Sequence, residues 1–109
     1  METIETPERL NDLIEHQEGL LLYFSSDSCN VCKVLKPKVR ELLEEQFPKI
    51  HMGYVDTERS PALSGQHRVF TIPTILLYFM GKEQQRFSRN ISLYQLEEAI
   101  AKPYGMIFG

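Results

Sequence analysis

Two cysteines carry the chemistry open to this chain. Cys29 and Cys32 are its only cysteines, and they lie in the stretch Ser25-Ser26-Asp27-Ser28-Cys29-Asn30-Val31-Cys32-Lys33. An apolar run, residues 20–24, precedes them and a segment of helical periodicity follows, so the pair falls where a strand hands over to a helix. The first N–H groups of a helix have no partner within it, and the aligned peptide dipoles add partial positive charge there. A thiolate at that end is stabilised. A free cysteine titrates at about 8.5, and helix N-termini and Cys-x-x-Cys settings lower this to roughly 3.5–7.5. The thiolate is the species that attacks a disulfide. Cys29, nearest the helix start, is the candidate nucleophile. Cys32, one turn further in, is placed to resolve a mixed disulfide held on Cys29.

A zinc site is the competing use of such a pair. Structural zinc takes four ligands, commonly from a second cysteine pair or two closely spaced histidines. No second pair exists, and His16, His51 and His67 are far apart. No metal is therefore expected. The strand-to-helix position of the pair favours redox chemistry over two inert core thiols.

The elements that must position the cysteines follow from periodicity and punctuation. Thr6-Pro7 reads as an N-cap with proline at the first helical position, followed by Leu10, Leu13 and Ile14 at helical spacing, with Gly19 as the stop. A short strand at Thr3-Ile4 precedes it. Residues 20–25 are nearly all apolar, as in a strand covered on both faces. Ser26 to Ser28 supply turn chemistry. A helix over residues 29–46 has Val31 or Cys32, Leu35, Val39, Leu42, Leu43 and Phe47 as its apolar set, and Pro37 inside it. Residues 50–55 alternate as a strand, and Ser60-Pro61 opens a short helix. Residues 75–79 and 83–88 form two strands joined at Met80-Gly81-Lys82. Ser92-Leu93-Tyr94-Gln95 is a capping box for a last helix with Leu93, Leu96 and Ile100 on one face, ending at Lys102-Pro103. The tail from Tyr104 to Gly109 reads as apolar but too broken for an element; it either packs on the body, the favoured reading, or makes an intermolecular contact. Strands alternating with helices, then a hairpin, give a mixed sheet covered on both faces.

Bulk properties bound the rest. With 109 residues, 42% hydrophobic and 25% charged, the chain fits one soluble domain over residues 1–109. A net charge of −3 implies no nucleic-acid or anionic-membrane partner. The longest apolar runs are too short to cross a bilayer. The acidic start, Met1-Glu2-Thr3-Ile4-Glu5, lacks a secretory signal's basic and apolar regions, so a cytoplasmic location is expected. There a lone cysteine pair is catalytic, redox-sensing or metal-binding rather than a structural staple.

In this order and spacing the chain resembles the thioredoxin family along nearly its whole length. The resemblance rests on Cys29-Asn30-Val31-Cys32-Lys33 after an apolar strand and Pro37 five residues beyond Cys32. Val55-Asp56 closing a strand, Ile72-Pro73-Thr74 before another, and Gly81 in the hairpin add to it. It implies the α/β thioredoxin fold, with a central mixed sheet of about four to five strands and about four helices. It implies a thiol–disulfide oxidoreductase, specifically a protein-disulfide reductase, with Cys29 attacking and Cys32 resolving. Pro73 would be cis and the Ile72 backbone would pair with bound substrate. The expected partners are disulfide-bonded proteins and a recycling reductase, with no cofactor beyond the Cys29–Cys32 pair itself, in a monomer or weak dimer.

The departures from the family matter as much. Ser28 and Ser25 stand where thioredoxins carry tryptophan, and Asn30-Val31 replace the usual Gly-Pro. Asn30, Val31 and Lys33 are therefore candidates for tuning the redox potential, Lys33 having also the plain reading of a solvated helix residue. Arg89 stands near a family glycine at the rim of the substrate groove. Tyr23 occupies the position of a buried aspartate that helps deprotonate the second cysteine. A general base contributes about 10²–10⁴-fold, and a phenol with pKa near 10 is a poor one at neutral pH. These losses motivate one alternative, a thioredoxin-fold binding module with weak redox activity; another is a glutaredoxin-like or low-molecular-weight-thiol reductase, or a metal or iron–sulfur carrier using Cys29. The paired glycines of a glutathione site are absent after the last hairpin, which weighs against the glutaredoxin version.

Overall fold

The structure, a computed structural model, describes residues 1–109. The apolar run forms the middle of strand β2 (Gly19–Ser25), all of whose residues are buried. Around it lie β1 (Glu2–Thr3), α1 (Pro7–His16), α2 (Asn30–Gln46), β3 (His51–Asp56), α3 (Pro61–Gln66), β4 (Thr74–Phe79), β5 (Lys82–Ser88) and α4 (Leu93–Phe108). The sheet order is β1-β3-β2-β4-β5. β3 runs parallel to both β1 and β2, while β4 runs antiparallel to β2 and β5. This is the α/β thioredoxin fold expected from the sequence, with five strands and four helices.

Side chains alternate across β2, and that alternation divides the core. Leu21 and Tyr23 join Ile75, Leu77 and Phe79 of β4 under α2 and α4. Leu20, Leu22 and Phe24 join Leu76 and Tyr78 against α1 and α3. Burying each such leucine contributes about 1.5–3 kcal/mol, so both helix layers are held to the same two central strands. The caps are local: Thr6 Oγ1 accepts from Arg9 N at 3.2 Å, and Ser92 Oγ accepts from Gln95 N at 3.2 Å. Met80 and Gly81 both have positive φ, 54° and 82°. Positive φ at both central residues marks the tight hairpin turn whose twist matches its strands.

Two expectations need correction. Gly19 does not stop α1, which ends at His16 with Gln17 as its C-cap. Gly19 opens β2, and a Cβ there would come within 3.2 Å of the Phe108 ring. The last helix does not end at Lys102-Pro103 but continues through Pro103 to Phe108. An interior proline costs about 3 kcal/mol. The helix persists because Tyr104, Ile107 and Phe108 pack on the core beneath α2. The Tyr104 ring meets Phe47 edge-on at 5.1 Å and Phe108 at 4.8 Å, and its hydroxyl accepts from Lys49 N at 3.2 Å. Replacing the proline restores the missing donor without touching those contacts. Pro103→Ala should therefore raise unfolding free energy by about 2 kcal/mol, measured by denaturant titration.

Charge holds the short edge strand in place. Glu2 of β1 accepts from Arg9 Nε at 2.6 Å and Nη2 at 2.9 Å in α1, and its Oε1 lies 2.9 Å from His51 Nε2 in β3. The Arg9 guanidinium, helped by His51, lowers the Glu2 carboxyl to a pKa of about 2. A carboxyl depressed in the folded state adds stability above its unfolded pKa, and that stability is lost as pH falls through the folded value. Glu2→Gln should cost about 1 kcal/mol near neutrality, since the pair is partly exposed. The gap to wild type should close between about pH 4.5 and pH 2 in melts across that range.

Candidate active site

β2 ends buried at Ser25, and the chain turns through Ser26 to Ser28 onto α2. Cys29 N donates to Ser26 O at 3.2 Å, which closes the turn. Cys29 is itself the N-cap of α2, in extended backbone, and its Sγ accepts from Cys32 N at 3.2 Å. A sulfur here takes the place usually filled by a serine or aspartate oxygen. Cys29 and Cys32 are joined as a disulfide with 5.3 Å between their Cα atoms. The two sulfurs are unequal: Cys29 is half-buried, whereas Cys32 is only 1% exposed and belongs to the core under α2. Of the two readings of the helix's apolar set, Cys32 is the inward residue and Val31 the outward one.

Tyr23 lies directly beneath the pair. Its hydroxyl donates to Cys32 O at 2.8 Å, and burial pushes the phenol up to about 12. It is therefore a donor that pins the first turn of α2, not a base. Its ring stacks on Tyr54 at 6.4 Å, with Lys36 Nζ 3.7 Å above the Tyr54 ring. Ser28 donates to Glu58 Oε1 at 2.7 Å. That ties the redox turn to the segment after β3, where Asp56 Oδ1 accepts from Glu58 N at 2.9 Å and Arg59 N at 3.2 Å.

The Ile72–Pro73 peptide is cis. Ile72 and Cys29 both pack against the cluster that contains Cys32. Pro73 is buried, and its carbonyl accepts from Arg89 N at 2.9 Å, which joins this loop to the end of β5. Asn30, Val31 and Lys33 are all exposed on the outer side of the first turn.

A groove of about 650 Å³ starts beside the pair and runs along α2. Its α2 wall is Asn30, Val31, Val34, Leu35 and Lys38, and the opposite wall is the connection from Arg89 to Ser92. Sequence reasoning singled out Asn30, Val31 and Arg89 but missed Val34, Lys38, Asn90 and Ile91. The signal was available on α2, where residues 30, 34 and 38 share a face. Nothing in the sequence places residues 90 and 91 across from it, or Glu58 beside Ser28. No three His, Cys, Asp or Glu side chains gather as a metal-ligand set, and no helix is long and apolar enough to cross a membrane.

A disulfide at the mouth of a helix, on a mixed sheet of this topology, defines a thiol–disulfide oxidoreductase of the thioredoxin class. The sequence profile described as Thioredoxin matches residues 2–102. The chain is 30% identical over 100 residues to the thioredoxin-like protein YdfQ of Bacillus subtilis (strain 168), covering 92% of this chain and 88% of that one. It is 35% identical over 72 residues to thioredoxin of Buchnera aphidicola subsp. Schizaphis graminum, covering 66% of each. Among solved structures, Fasciola hepatica thioredoxin superposes with a TM-score of 0.82 at 27% identity, covering 92% of this chain and 96% of that one. The chain belongs to the thioredoxin family.

Tyr23→Phe tests the role of the phenol. Losing one buried hydrogen bond should lower stability of the oxidised form by about 1 kcal/mol. Release of a mixed disulfide from Cys29 should slow by less than about threefold. A fall of two orders of magnitude would mean that the phenol carries a proton in that step.

Proposed function

We propose that the chain is a protein-disulfide reductase. The observation that carries the reading is the inequality of the two sulfurs: Cys29 caps the helix and is reachable, and Cys32 is held in the core one turn behind it. In the reduced form the Cys32 N–H and the N-terminus of α2 favour a thiolate on Cys29. That thiolate attacks one sulfur of a substrate disulfide, forming a mixed disulfide and expelling the other substrate sulfur as thiolate. Cys32, after losing its proton, attacks Cys29 Sγ. The Cys29–Cys32 bond forms and the second substrate thiol leaves. Two electrons pass from the dithiol to the substrate, and a recycling reductase returns them. No cofactor beyond the pair is required.

Ile72 and Pro73 are assigned to substrate positioning. The shared packing of Ile72 and Cys29 and the tie from Arg89 N to Pro73 O support that assignment. Asn30 and Val31, between the sulfurs, and Lys33 beside them are assigned to tuning the potential. With Tyr23 in place of a carboxylate, Cys32 loses its proton to solvent, so resolution is the slow chemical step at neutral pH. Reduction of partner disulfides suits a reducing compartment such as the cytoplasm.

The test is turnover of a disulfide-bonded protein with dithiothreitol as the electron source. Cys29→Ser should abolish turnover. Cys32→Ser should lose multiple turnover and accumulate a one-to-one covalent adduct through Cys29, visible by mass spectrometry and released by excess thiol. No turnover by the wild type, or turnover that survives Cys29→Ser, would end this reading, and partners that co-purify equally well with both cysteines replaced would favour a binding module.

A further inference from the structure

We propose that the groove between α2 and the connection from β5 to α4 selects substrates whose disulfide is flanked by an apolar residue and carboxylates, with Arg89 and Lys38 as the specificity-determining cations. This rests on the reductase reading above and adds the class of peptide that it acts on.

The charge of the groove runs against the charge of the molecule. The whole chain carries −3. Yet Lys38 and Arg89 are the only charged residues lining the groove, and no carboxylate lines it. Neither cation takes part in any of the ion pairs of the structure. Both are exposed and uncompensated. Between them the floor is apolar. Val31 and Val34 are 63% and 61% exposed, among the most exposed large apolar residues of the chain, and Ile91 faces them across the groove. An uncompensated cation pair above exposed valines is complementary to a segment that carries both an apolar side chain and acidic groups.

Position and length fit a peptide leaving the redox pair. The groove begins at Asn30 and Val31, between the two sulfurs, and extends along one face of α2 to Lys38. Eight residues of helix advance about 12 Å, the length of three or four extended residues. Arg89 is fixed relative to the substrate loop because its backbone, in the left-handed region at φ 64°, donates to Pro73 O at 2.9 Å. A substrate sulfur at Cys29 therefore puts residues within about four positions of it between the two cations.

The experiment compares two cystine-bridged peptides of equal length, one with Leu, Asp and Glu within four residues of its cysteine and one with Leu and two Lys. The Cys32→Ser variant limits the reaction to attack by Cys29, and formation of the mixed disulfide is timed by acid quench and mass spectrometry. Each rate is divided by that peptide's rate with dithiothreitol, which removes the effect of flanking charge on the peptide's own sulfur. At low ionic strength the acidic peptide should react about tenfold faster, as expected of two exposed ion pairs. The ratio should fall toward one as salt rises. Adding Arg89→Glu and Lys38→Glu should reverse the preference. Equal rates, a faster basic peptide as the net charge alone would favour, or a preference retained after charge reversal would overturn the proposal. The reductase reading is read separately with the uncharged 2,2′-dipyridyl disulfide. If the reduced wild-type protein reacts with it at Cys29 but the Cys32→Ser variant does not discriminate the peptides, only the groove assignment falls. If Cys29 does not react, both fall.

Discussion

The packing of β2 is the constraint on which the rest depends. Its seven buried residues lie between β3 and β4 and face a helix layer on each side. A strand buried on both faces cannot slip by one residue without moving every side chain into the wrong layer. Its register therefore fixes where the chain must leave the sheet, at Ser25. From there, Ser26 to Ser28 leave room only for a tight turn before Cys29 caps α2. The hydrophobic core places the redox pair, and the local bonds around Cys29 and Cys32 then hold it there.

That origin explains the inequality of the two sulfurs. A helix entered from the end of a buried strand has one face against the sheet and one in solvent. Cys32 falls on the inner face with Leu35, Val39 and Leu43, and Val31 and Val34 fall outward. Cys29 stands at the boundary as the cap. Beneath them the core is occupied by the Tyr23 phenol. Tyr23 satisfies its own buried hydroxyl on Cys32 O, so no orphan polar group is left under the site.

The outer surface carries the other half of the design. The groove residues on α2 and after β5 lie some fifty positions apart in the chain and meet because β4 and β5 fold back beside β2. The bond from Arg89 N to Pro73 O makes the two loops one unit. Elsewhere, charge serves the scaffold: Glu2, Arg9 and His51 tie β1 to α1 and β3 at the far edge of the sheet.

The sequence by itself determined the order of elements, the central buried strand and the Cys-x-x-Cys at its handover to a helix. It also carried the Ile72-Pro73 landmark and the tight hairpin at Gly81. These are local signals: apolar runs, caps and turn residues act within a few positions of themselves. Two local signals misled. Gly19 and Pro103 read as helix stops, but one makes room for Phe108 and the other is carried inside a helix by the packing of Tyr104, Ile107 and Phe108. Burial energy from distant residues outweighed backbone preference at both. Only the tertiary structure decided that Tyr23 bonds to Cys32 O, that Ser28 reaches Glu58, and that Lys38 faces Arg89 across a groove. Each of those depends on how strands and helices far apart in the chain are stacked, and no spacing in the sequence encodes a distance through space.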